Sequence, residues 1–166
     1  MKKKQVSNEN IKVHGFFHLQ IMEDINGKST VVGDSGWIKN QVTNTGIRDY
    51  LVTPIVGGTV KFVKYANLGT GGAPASDAVN LTGEIAHITN RLLITAGSSI
   101  VASRTAQWTG QFASSASFIT AAVNISNIGL FSAQGTVTSD LFAGNTYASS
   151  ALATNQSVNI TYQIRI

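Results

Sequence analysis

Ser157-Val-Asn-Ile-Thr-Tyr-Gln-Ile-Arg-Ile166 is the stretch on which the reading of the fold turns. Val158, Ile160, Tyr162, Ile164 and Ile166 share one parity; Asn159, Thr161, Gln163 and Arg165 share the other. Side chains along an extended chain alternate between two faces. The pattern therefore predicts a strand with one face in a core and the other in water. Residues 11–22, Ile-Lys-Val-His-Gly-Phe-Phe-His-Leu-Gln-Ile-Met, repeat it. Ile11, Val13, Phe17, Leu19 and Ile21 alternate with Lys12, His14, His18 and Gln20, and Gly15 is a candidate bulge. Asn26-Gly27 then predicts a two-residue hairpin, because both residues tolerate positive φ.

Working outward, Ser29 to Val32 reads as the returning strand, Gly33-Asp-Ser-Gly36 as a turn, and Trp37 onward as extended chain. Residues 43–53 are the best helix candidate. Thr43 or Asn44 can cap it, Ile47, Leu51 and Ile55 lie about a turn apart, and Arg48 and Asp49 would face solvent. Pro54 is expected to stop it. Beyond Gly57-Gly58 the chain reads as strands over 60–68, 84–96, 100–112, 118–125, 129–132, 136–142 and 157–166. The segment 84–112 reads as a hairpin closed by Gly97-Ser98-Ser99, and Ala113–Ala116 and Ala148–Ala153 as loops. The expected architecture is all-β: a β-sandwich or jelly-roll-like domain over 11–166, one short helix, and an extended N-terminal arm over 1–10.

Composition narrows the function classes. Of 166 residues, 43% are hydrophobic and only 12% charged, against about 25% in ordinary globular domains. With no cysteine, a disulfide scaffold is excluded. No apolar run approaches the ~18 residues of a membrane-spanning helix, so no membrane partner is expected. The net charge of +4 raises nucleic acid as a partner, but Lys2, Lys3 and Lys4 supply most of the excess. The remaining basic residues are scattered, and Asp140 is the one charge between Thr105 and Ile164. A duplex-binding face gathers its cations, so sequence-specific nucleic-acid binding is not expected. The three lysines lack an apolar stretch behind them, so they read not as a secretory signal but as a solvated terminal arm or, functionally, as a basic arm for an acidic partner surface.

The chemistry-bearing motifs are thin. Gly33-Asp34-Ser35-Gly36 has the letters of a serine nucleophile, with His14 and His18 upstream and Asp24 between, but a triad needs all three groups in contact. His14, His18 and His87 lack a carboxylate at metal-ligand spacing. Leu68-Gly-Thr-Gly-Gly-Ala-Pro74 has the glycines of a phosphate loop without the Lys-Ser/Thr that follows them. No catalytic residue, metal or cofactor is expected, and the chain reads as a non-enzyme. Trp37 and Trp108 are read as core or interface aromatics. Trp108 and Tyr147 are the aromatics that could stack on a sugar if exposed.

Several segments, in order, resemble small virion structural proteins of tailed bacteriophages. They are Trp37-Ile-Lys-Asn-Gln-Val-Thr-Asn-Thr-Gly46, then Val63-Lys-Tyr-Ala-Asn-Leu-Gly-Thr-Gly71 with Ala73-Pro74, Asp77, Leu81, Glu84 and Arg91. Asn124-Ile-Ser-Asn-Ile-Gly-Leu-Phe131 and a closing strand complete the set, which spans about 37–166. The family often carries an Arg and an aromatic after the Gly-Leu-Phe strand and a Trp near its end; here Leu141-Phe142 and Tyr162 stand instead. The resemblance implies a non-enzymatic virion component made in the host cytoplasm. The favoured form is a capsid decoration (cement) protein that sits as a homotrimer on the major capsid protein and stabilises the shell. A tail, neck or head-fibre component, or a receptor- or carbohydrate-binding module, is the alternative. Lys2, Lys3, Lys4, Trp37 and Trp108 are the expected interaction residues.

Overall fold

The computed structural model describes residues 12–85, 91–96, 104–116, 118–135 and 140–166. Lys2, Lys3, Lys4, His87 and the Gly97-Ser98-Ser99 connection lie outside the described residues. The chain is all-β, as its alternation predicts. Nine strands are described: β1 (His14–Ile25), β2 (Lys28–Val42), β3 (Tyr65–Gly69), β4 (Leu92–Leu93), β5 (Thr95–Ala96), β6 (Thr105–Phe112), β7 (Val123–Phe131), β8 (Leu141–Leu152) and β9 (Gln156–Arg165).

They form one antiparallel sheet in the order β4-β3-β7-β8-β2-β1-β9-β6-β5. The two end strands are consecutive in the chain, separated only by Ile94. The segment 92–96 thus pairs with β3 through Leu92 and Leu93, and with β6 through Thr95 and Ala96. This nearly closes the sheet on itself. The half built from β1, β9 and β6 faces the half built from β8, β7 and β3. Phe17 of β1 meets Tyr147 of β8 edge-on at 6.1 Å across the core.

β9 runs through the middle of the first half, paired along its length with β1 and with β6. Val158, Ile160, Tyr162 and Ile164 are buried, while Ile166 lies past the last pair and is exposed. In β1 the buried parity is Gly15, Phe17, Leu19 and Ile21. Gly15 is not a bulge: it pairs in register with Asn40 and Ile164. Its missing side chain leaves room for Asn40, whose Nδ2 would lie 2.5 Å from a Cβ there. Asn26 and Gly27 make the two-residue turn at φ 55° and 77°, and Asp24 Oδ1 accepts from Gly27 N at 2.7 Å.

Gly33-Asp-Ser-Gly36 is not a turn between strands. β2 runs straight through it, and the extra residues form a bulge opposite Leu19, where the register with β1 slips. Gly36 sits at φ 62°, the conformation that such a bulge requires. Of the predicted strands at 118–125 and 129–132, residues 123–125 and 129–131 belong to one strand, β7, while 118–122 lie outside any strand; the predicted loop Ala148–Ala153 is mostly the end of β8. Small side chains there read as loop in the sequence, but they are what closely paired strands accommodate.

A helical run follows β2: α-helix over Asn44–Gly46, π-helix over Ile47–Val52, α-helix again over Thr53–Ile55. Thr43 caps it, its Oγ1 accepting from Gly46 N at 2.9 Å. The buried face is Thr45, Gly46 and Tyr50; Ile47 and Ile55 are exposed instead. Two features explain the rotation. Gly46 is pressed against the carbonyl of Phe142 at the start of β8, so no side chain fits there. The wide π turn, with Thr53 N donating to Arg48 O, then shifts the faces and admits Pro54 without breaking the run. The run ends at Gly57, φ 78°, whose N–H donates to Pro54 O at 3.1 Å.

Gly46→Ala is expected to destabilise the fold by about 1–3 kcal/mol, the usual cost of forcing an extra methyl into an occupied space. Gly72→Ala, where nothing lies within 4 Å of the added carbon, should stay within about 0.5 kcal/mol of the parent. Urea unfolding of the two variants checks the pair; equal midpoints would mean that the helical run does not press on β8.

Candidate functional site

Three clusters of side chains merit weighing: a surface His–Asp pair, a buried arginine, and an apolar groove. The pair comes from the bulge. His18 Nε2 lies 2.6 Å from Asp34 Oδ1, Gln20 Nε2 donates to Asp34 Oδ2 at 3.0 Å, and Gly36 N donates to Asp34 Oδ1 at 2.7 Å. These donors, the Gly36 N–H first, hold the Asp34 carboxyl at about 2, below its ordinary 3.8. His18 also packs on Trp37, ring centroids 5.5 Å apart. Sequence spacing offered Asp24 as the orienting carboxylate, but the structure pairs His18 with Asp34 of the motif itself. Ser35 does not complete a triad: its Oγ accepts from Leu19 N at 2.9 Å and donates to Gly36 O at 2.8 Å. The arrangement is a bulge clamp that ties Asp34 and Ser35 to β1.

The buried arginine is Arg91. Its side chain is fully enclosed, with the guanidinium 3.5 Å above the ring centre of Phe131. Nε donates to Glu84 Oε1 at 2.7 Å, and Nη1 to Asp140 Oδ1 at 2.7 Å and Ala133 O at 3.2 Å. Nη2 reaches Asn80 Oδ1 at 3.2 Å and Glu84 Oε2 at 3.3 Å. Two carboxylates on one cation leave an excess of negative charge, which neutral donors absorb. Asn67 Nδ2 donates to Glu84 Oε1 at 2.8 Å. Ser132 N, Ser132 Oγ and Ala133 N all donate to Asp140 Oδ2 within 2.8 Å. Beside this centre, the glycine-rich loop is fixed by Ser126 Oγ donating to Gly71 O and Asn127 Nδ2 donating to Gly72 O. One of the loop's amides, Thr70 N–H, is also engaged, donating to Gly83 O at 3.0 Å.

The groove is apolar, about 520 Å³, and lies where the helical run, the chain after it and the first half of the sheet meet. Tyr50, Phe62, Val63, Trp108, Phe142 and Ile164 line it, with Lys61 and Arg104 the only charged residues on its wall among the described residues. Tyr50 joins it to the arginine centre, since its hydroxyl donates to Asp140 O at 2.9 Å. Burial pushes the Tyr50 phenol well above its ordinary value. Beside the groove the chain from Val52 to Phe62 projects outward, with Ile55 83%, Val56 77% and Phe62 62% exposed.

Of the expected interaction residues, Trp37 stands on the outside of β2 and is 52% exposed, so it is no part of the core. Trp108 is half-buried on the groove wall. Tyr147 is not available to a sugar; it is a core residue against Phe17, and burial raises its phenol far above the ordinary value. The projecting Ile55, Val56 and Phe62 were missed by sequence reading, which placed Ile55 on a buried helix face. Among the described residues no three His, Cys, Asp or Glu side chains gather as a metal site. Comparison with family models, with curated proteins and with solved structures finds no match.

Arg91→Met should destabilise the fold by about 3–5 kcal/mol, because it strands Glu84 and Asp140 inside. Adding Glu84→Gln and Asp140→Asn should recover part of that loss in chemical unfolding, whereas a merely additive triple variant would show that the three do not act as one unit. For the surface clamp, a carboxyl whose value falls on folding stabilises above its ordinary 3.8, and loses that contribution as pH falls toward about 2. The melting temperature of Asp34→Asn should therefore lie below the parent's at pH 5 and converge with it near pH 2.

Proposed function

We propose that this chain is a non-enzymatic structural protein of a tailed-bacteriophage particle, best read as a capsid decoration protein that assembles as a homotrimer on the shell. The observation that carries the reading is the groove with its projecting neighbour. On this nearly closed β body the two most exposed large apolar side chains, Ile55 and Val56, stand with Phe62 beside an apolar groove, an arrangement suited to adhesion, since exposed apolar patches mark contact surfaces. Low charge supports the same reading, because hydroxyls and amides lose less than ions on leaving water.

The order of the phage-like segments adds support. Asn67, Leu81, Glu84, Arg91 and Phe131 lie far apart in sequence. Of these, Asn67, Glu84, Arg91 and Phe131 join in the buried arginine centre, and Leu81 is buried with Phe131 and Leu141 in an adjoining cluster. That shared centre supports reading these segments as one unit. In this reading the protein is made in the host cytoplasm and ends in the virion, its partners being copies of itself and the major capsid protein. Lys2, Lys3 and Lys4 form an arm toward the acidic shell. Each exposed lysine contributes only about 1 kcal/mol or less, so apolar contact and many copies supply most of the attachment.

Trp37 favours a second reading, in which the exposed indole beside His18 and Asp34 stacks on a sugar of a receptor. The expected results for the decoration reading are a mass in solution three times the chain's 17.5 kDa and saturable binding to capsids stripped of it. Deleting residues 2–10 should weaken that binding while the circular dichroism spectrum stays unchanged. Failure to bind such capsids, with glycan binding that Trp37→Ala abolishes, would replace this reading by the second.

A further inference from the structure

The groove and the projection beside it are complementary in kind. The projection is the chain from Val52 to Val60, Val-Thr-Pro-Ile-Val-Gly-Gly-Thr-Val, which carries no charge. It is rigid at its tip: Gly57 N donates to Pro54 O at 3.1 Å and Gly58 N to Thr53 O at 2.9 Å. The recess is apolar and open, and its floor is pinned through Tyr50 to Asp140. Both features are preformed, so little ordering is needed when something enters.

We propose that the occupant of the groove is the Val52–Val60 projection of a second copy of this chain, so that each copy gives a projection to one neighbour and accepts one. This rests on the self-assembly part of the proposed function and not on attachment to a shell. Two observations select a second copy. The first is charge. The projection is the carbonyl end of the helical run that starts at Asn44, and such an end carries partial negative charge. The groove wall supplies the matching cation: Arg104, whose guanidinium meets no described carboxylate, while Lys61 is already bonded to Asp49 Oδ2 at 2.8 Å. Arg104 is also held at φ 50°, its carbonyl accepting from Ile166 N, so the groove edge is stiff.

The second observation is area. Val52, Ile55, Val56, Val60 and Phe62 are each about half exposed or more. Together they leave several hundred Å² of apolar surface in water, the size of patch that on a lone domain is often a contact site. With the groove wall, each copy offers two apolar faces, one to give and one to receive. A different partner would have to bring both an apolar projection and an apolar recess; a second copy has both already.

Because Ile55 is 83% exposed, Ile55→Asp can be made in the full chain without touching the core. Sedimentation equilibrium should show its self-association weakened by on the order of tenfold or more, as for a central interface anchor, with an unchanged circular dichroism spectrum. The chain has no cysteine, so single substitutions report cleanly on contact. Mixed Ile55→Cys and Ala106→Cys chains should form a disulfide between the two variants on mild oxidation, Ala106 being on the groove wall. An oligomer that survives Ile55→Asp, or that cross-links only Ile55→Cys to itself, overturns the proposal and leaves self-assembly standing. A parent chain that stays monomeric at every concentration overturns both. An oligomer that forms through this contact but ignores capsids upholds the inference and overturns only the decoration reading.

Discussion

The buried guanidinium of Arg91 is the constraint around which the molecule is arranged. A cation with no contact to water demands carboxylates, and carboxylates buried with it demand further donors. Glu84, Asp140, Asn67, Asn80, Ser132 and Ala133 meet those demands from four separate stretches of chain. Burying an ion pair adds little net stability over an apolar filling, because desolvation offsets the attraction. What it adds here is position. The loop that ends at Glu84, the start of the 92–96 segment, the end of β7 and the start of β8 can meet in only one way if no charge is to be left unmatched.

That meeting decides the shape of the rest. Arg91 precedes β4 directly, so fixing its head places Leu92 and Leu93 against β3 and sends Thr95 and Ala96 to β6. The sheet is nearly closed by five residues, with little edge left open, which removes the usual hazard of unpaired strands. Asp140 then passes the constraint on. Its carbonyl takes the Tyr50 hydroxyl, Tyr50 stacks near Phe142 with centroids 4.8 Å apart, and the helical run is seated over the start of β8. Since the run is held by its Gly46–Tyr50 face, its other face and its far end must project. The apolar groove and the projection beside it are therefore by-products of how the core is tied, and the proposed adhesion uses them.

Much of the fold was legible because it depends on short-range alternation. Residues 157–166 and 13–21 declare their buried parity without reference to any partner, and Asn26-Gly27 declares its turn through backbone preference alone. Two of the misreadings share one cause. Gly33-Asp-Ser-Gly36 has turn composition, yet pairing with β1 on one side keeps the strand going and converts the motif into a bulge. Ile47, Leu51 and Ile55 have helical spacing, yet a π turn and the contact of Gly46 with Phe142 rotate the run so that Tyr50 is buried instead. In both places a tertiary contact overrode a sound local preference.

The candidate site was hardly legible at all. Trp37 and Trp108 were noticed for their size, but Ile55, Val56 and Phe62 look like any core residues until the helical run is placed. By itself the sequence determined the all-β class, the parity of the outer strands of the chain, the first hairpin and, to within Thr43 or Asn44, the helix cap, because each follows from residues within a few places of one another. Only the tertiary structure decided which strands pair, that Arg91 meets Asp140 across 49 residues, and which apolar side chains are left outside. Those outcomes depend on matching buried charge and filling space between distant segments, and neither quantity exists until the chain has folded.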